Sequence, residues 1–220
     1  MRDLSGIYLW FDAEYTSLDL DRARLLQVAL VMTDARLRRV APPAEDLNLV
    51  VRLEPDAACD PWVRANMPAL LDRCRSDAAL TVADVDSRLA AQVDRILGPV
   101  PDDAGQRPVL AGNSVHHDWY LARRFLPSLI RRANYRLLDV TSWKLHWVHT
   151  RGGNPFESGK TDRSLVERYF PGEFTTGANE HDAHFDVLAS IAEMNFYVLH
   201  AGGRGAAESA AAAGPGGGQG

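Results

Sequence analysis

Five side chains of this sequence could together perform metal-assisted hydrolysis: Asp12, Glu14, Asp118, His181 and Asp186. Asp12 and Glu14 close the stretch Ile7-Tyr8-Leu9-Trp10-Phe11-Asp12-Ala13-Glu14, an apolar run that ends in two acids. Two residues apart on a strand, their carboxylates project from one face. Ionised carboxylates at a buried edge are costly unless a cation lies between them, and a divalent metal answers that need, although eight such residues alone would be better described as an acidic strand end in water. His181 and Asp186 are five residues apart, about 140° around a continuous helix. They share a pocket only if the helix begins at Asp182 or Ala183 and His181 lies in the loop before it. A pocket with Asp12, Glu14, Asp118 and Asp186 would bind two divalent cations about 3.5–4 Å apart, an arrangement that activates a water and stabilises the leaving oxygen of a phosphodiester. Hard oxygen ligands select Mg²⁺ or Mn²⁺, and His181 would supply the base. A lone Asp such as Asp118 in a first helical turn can also simply cap it. His184 has the wrong offset from Asp186 and reads as a helix-face residue.

The elements that must carry these groups follow from hydrophobic pattern. The apolar run at Ile7 reads as a strand buried on both faces. Tyr15 to Asp21 is a polar loop, Leu25 to Thr33 a strand returning antiparallel, and Leu47 to Leu53 a third, completing a meander. Leu18, alone in the loop, either packs on the core or wedges between bases of a substrate. Helices are expected from Pro61 to Arg75 and from Val82 to Leu97, the second capped by Thr81 and stopped by Pro99 and Pro101. Pro108 to Gly112 is the next strand, and Asn113-Ser114 leads into a helix with His117, Asp118, Leu121, Phe125 and Leu126. This places Asp118 just past a strand end, where ligand sites gather in mixed or parallel sheets. Arg136 to Val140 reads as a short strand and Thr141 to about His149 as a helix. Thr150 to Asn179 is glycine-rich and irregular apart from a helix at Arg163 to Tyr169. The last helix, Ala183 to about Leu199, buries Val187, Ile191, Met194 and Val198. The expected fold class is α/β, a mixed central sheet flanked by helices. Residues 1–200 form one domain and 201–220 a disordered Gly/Ala-rich tail.

The chain's 220 residues, 46% hydrophobic, suffice for one full core. A net charge of −5 argues against coating long nucleic acid by charge alone and leaves short anionic substrates open. Two cysteines, Cys59 and Cys74, are too few for a disulfide scaffold, so a reducing cytoplasm is expected. No stretch of 18 apolar residues occurs, so no membrane association is expected. Of 24 basic residues only Lys144 and Lys160 are lysines, which leaves phosphate contacts to arginine forks.

The order Asp-x-Glu, Asp, His-x4-Asp resembles the DEDDh 3′–5′ exonuclease superfamily, named for its four acids and one histidine. Within it the chain most resembles the oligoribonuclease family, which finishes RNA decay by cutting very short oligoribonucleotides from the 3′ end. The matching stretches are Asp12-Ala-Glu-Tyr-Thr-Ser-Leu-Asp19, Leu110 to Asp118, Tyr135 to Thr141, and His181 through Tyr197. The resemblance implies an RNase H-like fold, Asp12, Glu14 and Asp186 as metal ligands with Asp118 completing the site, and His181 deprotonating the attacking water. It implies Leu18 as the wedge between terminal bases, and Asn113, Ser114, Arg136 and Thr141 around the 5′ phosphate. Tyr135 would reach across a homodimer, and the partner would be short single-stranded RNA. The family has glycine at Ser17, Gly-Gln at His116-His117, and a phosphate-binding histidine where Asn66 aligns. An exonuclease of the same superfamily acting on DNA or longer single strands, in proofreading, repair or RNA maturation, would keep the five core residues and lose the Tyr135-Arg136 cap. A non-enzymatic binding module would need no histidine base.

Overall fold

The computed structural model describes residues 3–159, 162–172 and 182–201. Its framework is a meander of β1 (Ile7–Tyr15), β2 (Leu25–Asp34) and β3 (Leu47–Val50), paired antiparallel through Asp12↔Ala29, Glu14↔Gln27 and Ala29↔Asn48. The 61–75 segment is two short helices, α1 (Pro61–Asn66) and α2 (Pro68–Cys74), where one was expected. The break is at Met67 (φ −126°, ψ 38°), because the ring of Pro68 disfavours helical geometry in the residue before it. Helix α3 (Val82–Leu97) follows as expected, with Thr81 accepting from the Asp84 amide. Strand β4 (Val109–Gly112) leads into α4 (Val115–Phe125) and the one-turn α5 (Pro127–Ile130). The short edge strand β5 (Leu137–Asp139) runs directly into α6 (Val140–Arg151). After α7 (Pro155–Gly159) and α8 (Arg163–Tyr169), α9 (Ala183–His200) ends the described chain.

Among the described residues the sheet has five strands in the order β3-β2-β1-β4-β5, with β1–β4 and β4–β5 parallel. Alternation along β1 sorts its side chains onto two faces. Leu9, Phe11 and Ala13, with Val28 and Leu30 of β2, join the core formed with Val85, Leu89 and Val93 of α3 and Leu121 of α4. Trp10, with Ala29 and Val31, packs instead against α8 and α9 through Val166, Phe185, Leu188 and Ile191. Asp12 and Glu14 share the parity of Trp10, so the same pattern that buries β1 turns both acids toward α9. The result is the mixed sheet covered by helices that the sequence led us to expect.

Three other expectations need correction. β3 stops at Val50; Val51 leaves it for a lone parallel bridge to Leu80. Helix α7 falls in a stretch read as irregular: Asn154 accepts from the Phe156 amide at 2.9 Å and Phe156 is buried, a tertiary contact with no periodic signal. Val198, expected on the buried face of α9, is 52% exposed; at that end the helix buries Phe196 and Tyr197 instead, against Trp147 and Tyr169. Lys160, His181 and nearly all of the 201–220 tail lie outside the described residues. No helix among the described residues is long and apolar enough to cross a membrane.

Candidate active site

β4 pairs with β1 only through Tyr8, Leu9 and Trp10, so Asp12 and Glu14 stand beyond the parallel pairing, at its carboxyl end. The approach there is close: a Cβ on Gly112 would meet the Phe11 carbonyl oxygen at 2.8 Å, which only glycine avoids. Asp118, one turn into α4 and buried, accepts from the Ala13 amide at 3.0 Å, the backbone between the two acids. On the other side α9 starts at Ala183, with Asp182 as N-cap accepting from the amides of His184 (3.1 Å) and Phe185 (3.4 Å). That onset is the one the His181–Asp186 spacing requires, and it delivers Asp186 to β1.

Asp12, Glu14 and Asp186 each offer a carboxylate oxygen, and these lie within 4.8 Å of one another. Three half-exposed hard oxygen donors at this separation fit a divalent cation. Asp118 is outside this triplet and tethered to β1. Burial, and then the charges of Asp118, Asp12 and Glu14, push the Tyr15 hydroxyl up to about 12.

The acids open into a cleft of about 390 Å³ whose walls include Leu18, Trp62, Val63 and Met67. Leu18 is 80% and Trp62 53% exposed, so both present apolar surface to whatever enters. Trp62 carries no functional signal in the sequence beyond being a tryptophan that follows Asp60-Pro61 at a helix start. Asn66 turns back on its own helix, donating to the Trp62 carbonyl at 2.8 Å.

Asn113, Ser114 and Thr141 are brought together. Thr141 Oγ1 donates to Asn113 Oδ1 (3.2 Å) and accepts from the Ser114 amide (2.8 Å), while Ser114 adopts φ 49° as the residue before α4. Asn113 Nδ2 donates to Ser190 Oγ (2.9 Å) and Glu193 Oε2 (3.1 Å). Ser190 in turn donates to the Asp186 carbonyl. Glu193 is fully buried and also receives Tyr197 Oη (2.6 Å), Asn154 Nδ2 (3.1 Å) and Lys144 Nζ (3.2 Å). Burial and Glu193 hold the Tyr197 hydroxyl far above its ordinary range. Tyr135 and Arg136 are not among the described residues lining the cleft; Tyr135 is exposed, and the Arg136 guanidinium lies 4.5 Å over its ring. His184 is buried, its Nε2 2.9 Å from Asp46 Oδ2. The His116 and His117 rings meet edge to face, centroids 4.2 Å apart, and burial, then His116, lowers the His117 pKa.

Solved structures share this fold. Exonuclease I from Methylocaldum szegediense superposes with a TM-score of 0.58 at 20% identity, over 88% of this chain but only 40% of that enzyme. S. pombe Pop2p, in a form with Mg²⁺ and Mn²⁺ bound, gives 0.58 at 10% identity over 89% of this chain and 83% of its own. The class that the fold defines is RNase H-like. No family model matches the chain. Sequence relatives go further: an oligoribonuclease of Thiobacillus denitrificans is 30% identical over 199 residues, covering 87% of this chain and 93% of that one. An oligoribonuclease of Francisella tularensis subsp. tularensis is 29% identical over 196 residues, covering 86% and 92%. The chain belongs to the oligoribonuclease family.

Proposed function

We propose that the protein removes 5′-mononucleotides one at a time from the 3′ end of short oligoribonucleotides. The observation that carries this reading is the meeting of Asp12, Glu14 and Asp186, from two elements far apart in sequence, beside a cleft with exposed apolar walls. Asp12, Glu14 and Asp186 would hold the divalent cations, with Asp118 completing the site. Bound by these carboxylates, two divalent cations such as Mg²⁺ or Mn²⁺ would supply Lewis-acid activation of a water and charge neutralisation at a leaving oxygen. Leu18 and Trp62 sandwich the terminal bases and bring the last phosphodiester over the acids. His181 takes the proton of the attacking water as its oxygen bonds to phosphorus. The bond from phosphorus to the 3′ oxygen of the preceding nucleotide breaks, and that oxygen leaves protonated by solvent. Asn113, Ser114, Thr141 and Arg136 gather at the substrate's 5′ phosphate.

Short substrates suit the surroundings. The neighbouring groove, which shares Ser17 and Asp60 with the cleft, is lined by five carboxylates (Asp19, Asp21, Glu54, Asp56, Asp60) against three arginines (Arg22, Arg24, Arg52). A phosphate backbone extended that way meets net negative charge. A homodimer suits the opposite edge. Val140 is the one buried residue of α6, which exposes Trp143 and Leu145 beside edge strand β5, while Arg151 ties α6 to the end of α9, where Val198 and Leu199 are exposed. In such a homodimer Tyr135, exposed on the segment before β5, would be the side chain that reaches across to the partner's cleft, as the family resemblance implies. Cys59 and Cys74 are free and buried, as suits a reducing cytoplasm.

The test is a panel of 5′-labelled RNAs of two to about ten nucleotides, with single-stranded DNA of matching lengths, in Mn²⁺ or Mg²⁺. Cleavage from the 3′ end that is fastest on the shortest RNAs supports the reading. Preference for DNA or for the longest strands would favour a proofreading- or repair-type exonuclease instead.

A further inference from the structure

We infer that Gln27 and Asn48 are positioning residues for Asp186, acting through Asp182; the inference rests on the reading of Asp186 as a metal ligand. Gln27 is 1% exposed and lies directly across the sheet from Glu14. Its neighbours on that face of β2 are Ala29 and Val31, which fill apolar space, so a buried amide here needs a polar reason. Its partners supply one. Gln27 Nε2 donates to Asp182 Oδ2 at 3.1 Å and to Asn48 Oδ1 at 2.6 Å, and Asn48 Nδ2 donates to Asp182 Oδ1 at 3.2 Å. The three side chains close a ring in which flipping the Asn48 amide would break two contacts, so the orientation is determined by the ring itself.

This ring joins sequence positions more than 130 residues apart: β2 and edge strand β3 grip the residue that starts α9. Asp182 is joined to Asp186 within the first turn of the helix, where the Asp186 amide donates to the Asp182 carbonyl at 3.0 Å. A shift of Asp182 is therefore handed to the Asp186 carboxylate within one turn, while Glu14 is held in register with Gln27 by the β1–β2 ladder. The ring thus sets the distance between two carboxylates of the triplet. The choice of donors suits the task. An Arg or Lys at position 27 would compete with a bound cation for Glu14, and a Glu would add a further negative charge; neutral amides hold the helix without changing the site's charge. A second contact from the same hairpin, His184 Nε2 on Asp46 and Asp46 on Arg39, restrains rotation of the first turn.

Helix capping alone would need none of this, since Asp182 already caps with its own carboxylate. That difference gives the test. Gln27→Met keeps shape and charge and removes the donor. Asp182→Ser keeps a capping side chain of comparable strength but cannot reach Gln27 or Asn48. Measured on the full chain, both variants should weaken Mn²⁺ binding in calorimetry and lower kcat on a diribonucleotide by about 10-fold or more, the effect of losing an outer-layer partner of a metal ligand. KM should stay within about threefold, and Tm within a few degrees. Unchanged Mn²⁺ affinity and kcat in either variant overturns the inference, as does an activity loss that follows Tm while Mn²⁺ affinity holds. Asp186→Ala separates the two claims. If it leaves Mn²⁺ affinity intact, the metal-site reading falls and takes this inference with it; if it abolishes binding while Gln27→Met does nothing, the inference falls alone.

Discussion

Replacing Glu193 by Leu should destabilise the protein by roughly 3–4 kcal/mol. The carboxylate is fully buried and receives Tyr197, Asn154, Asn113 and Lys144. Leucine removes the acceptor and leaves its donors behind, at about 1 kcal/mol for each neutral hydrogen bond lost. Asn113 keeps Ser190, and Asn154 and Tyr197 keep each other, which holds each loss near the low end. Lys144 loses its counter-charge, but its side chain is 25% exposed and can turn to water, so the cost stays below the ~3–5 kcal/mol of breaking a fully buried pair. In a domain of this size, about 2–4 °C per kcal/mol makes the expected fall in Tm roughly 6–16 °C. Urea unfolding followed by circular dichroism should show a lower midpoint at unchanged slope. Glu193→Leu combined with Lys144→Met should recover about 1 kcal/mol or more, since the stranded cation is then gone. A loss below about 1 kcal/mol for the single variant would refute the view that this carboxylate is the hub fastening α9 to Asn113 and α6.

Leu18→Ala and Trp62→Ala should each raise KM on a diribonucleotide about 5–100-fold with kcat nearly kept, the range of a lost base-stacking contact; steady-state kinetics showing the loss in kcat alone would contradict it. Gly112→Ala drives a Cβ onto the Phe11 carbonyl and should cost about 1–3 kcal/mol by urea unfolding, with weaker Mn²⁺ binding because Asp12 follows Phe11. Tyr15 should ionise near pH 12 in an ultraviolet titration without metal. Its folded pKa is raised above the ordinary 10, so its contribution to stability is full below pH 10 and is lost as pH rises toward 12. Mn²⁺ should lower that pKa by offsetting the carboxylates beside it.

What could be read in the sequence was what leaves a local trace. The strand carrying Asp12 and Glu14, the cap at Thr81 and the start of α9 all follow from period and capping chemistry. The break at Met67 was available from Pro68 alone, but an otherwise helical pattern masked it. Asp118 showed its place past a strand end, though not that its carboxylate would fasten the Ala13 amide. Glu193 gave no warning, since one acid in an apolar helix looks like a solvent-facing residue until Asn113, Asn154 and Lys144 from elsewhere in the chain converge on it with Tyr197 of its own helix. Gln27, Asn48 and Asp182 are likewise ordinary residues whose role exists only once β2, β3 and α9 meet.

The central claim, that Asp12, Glu14 and Asp186 hold the metal on which cleavage depends, is tested most directly by crystals grown with Mn²⁺ and measured at the manganese absorption edge. The account predicts anomalous density bounded by those three carboxylates, lost in Asp186→Asn together with RNA cleavage. Manganese bound elsewhere, or cleavage undiminished in Asp186→Asn, would contradict it.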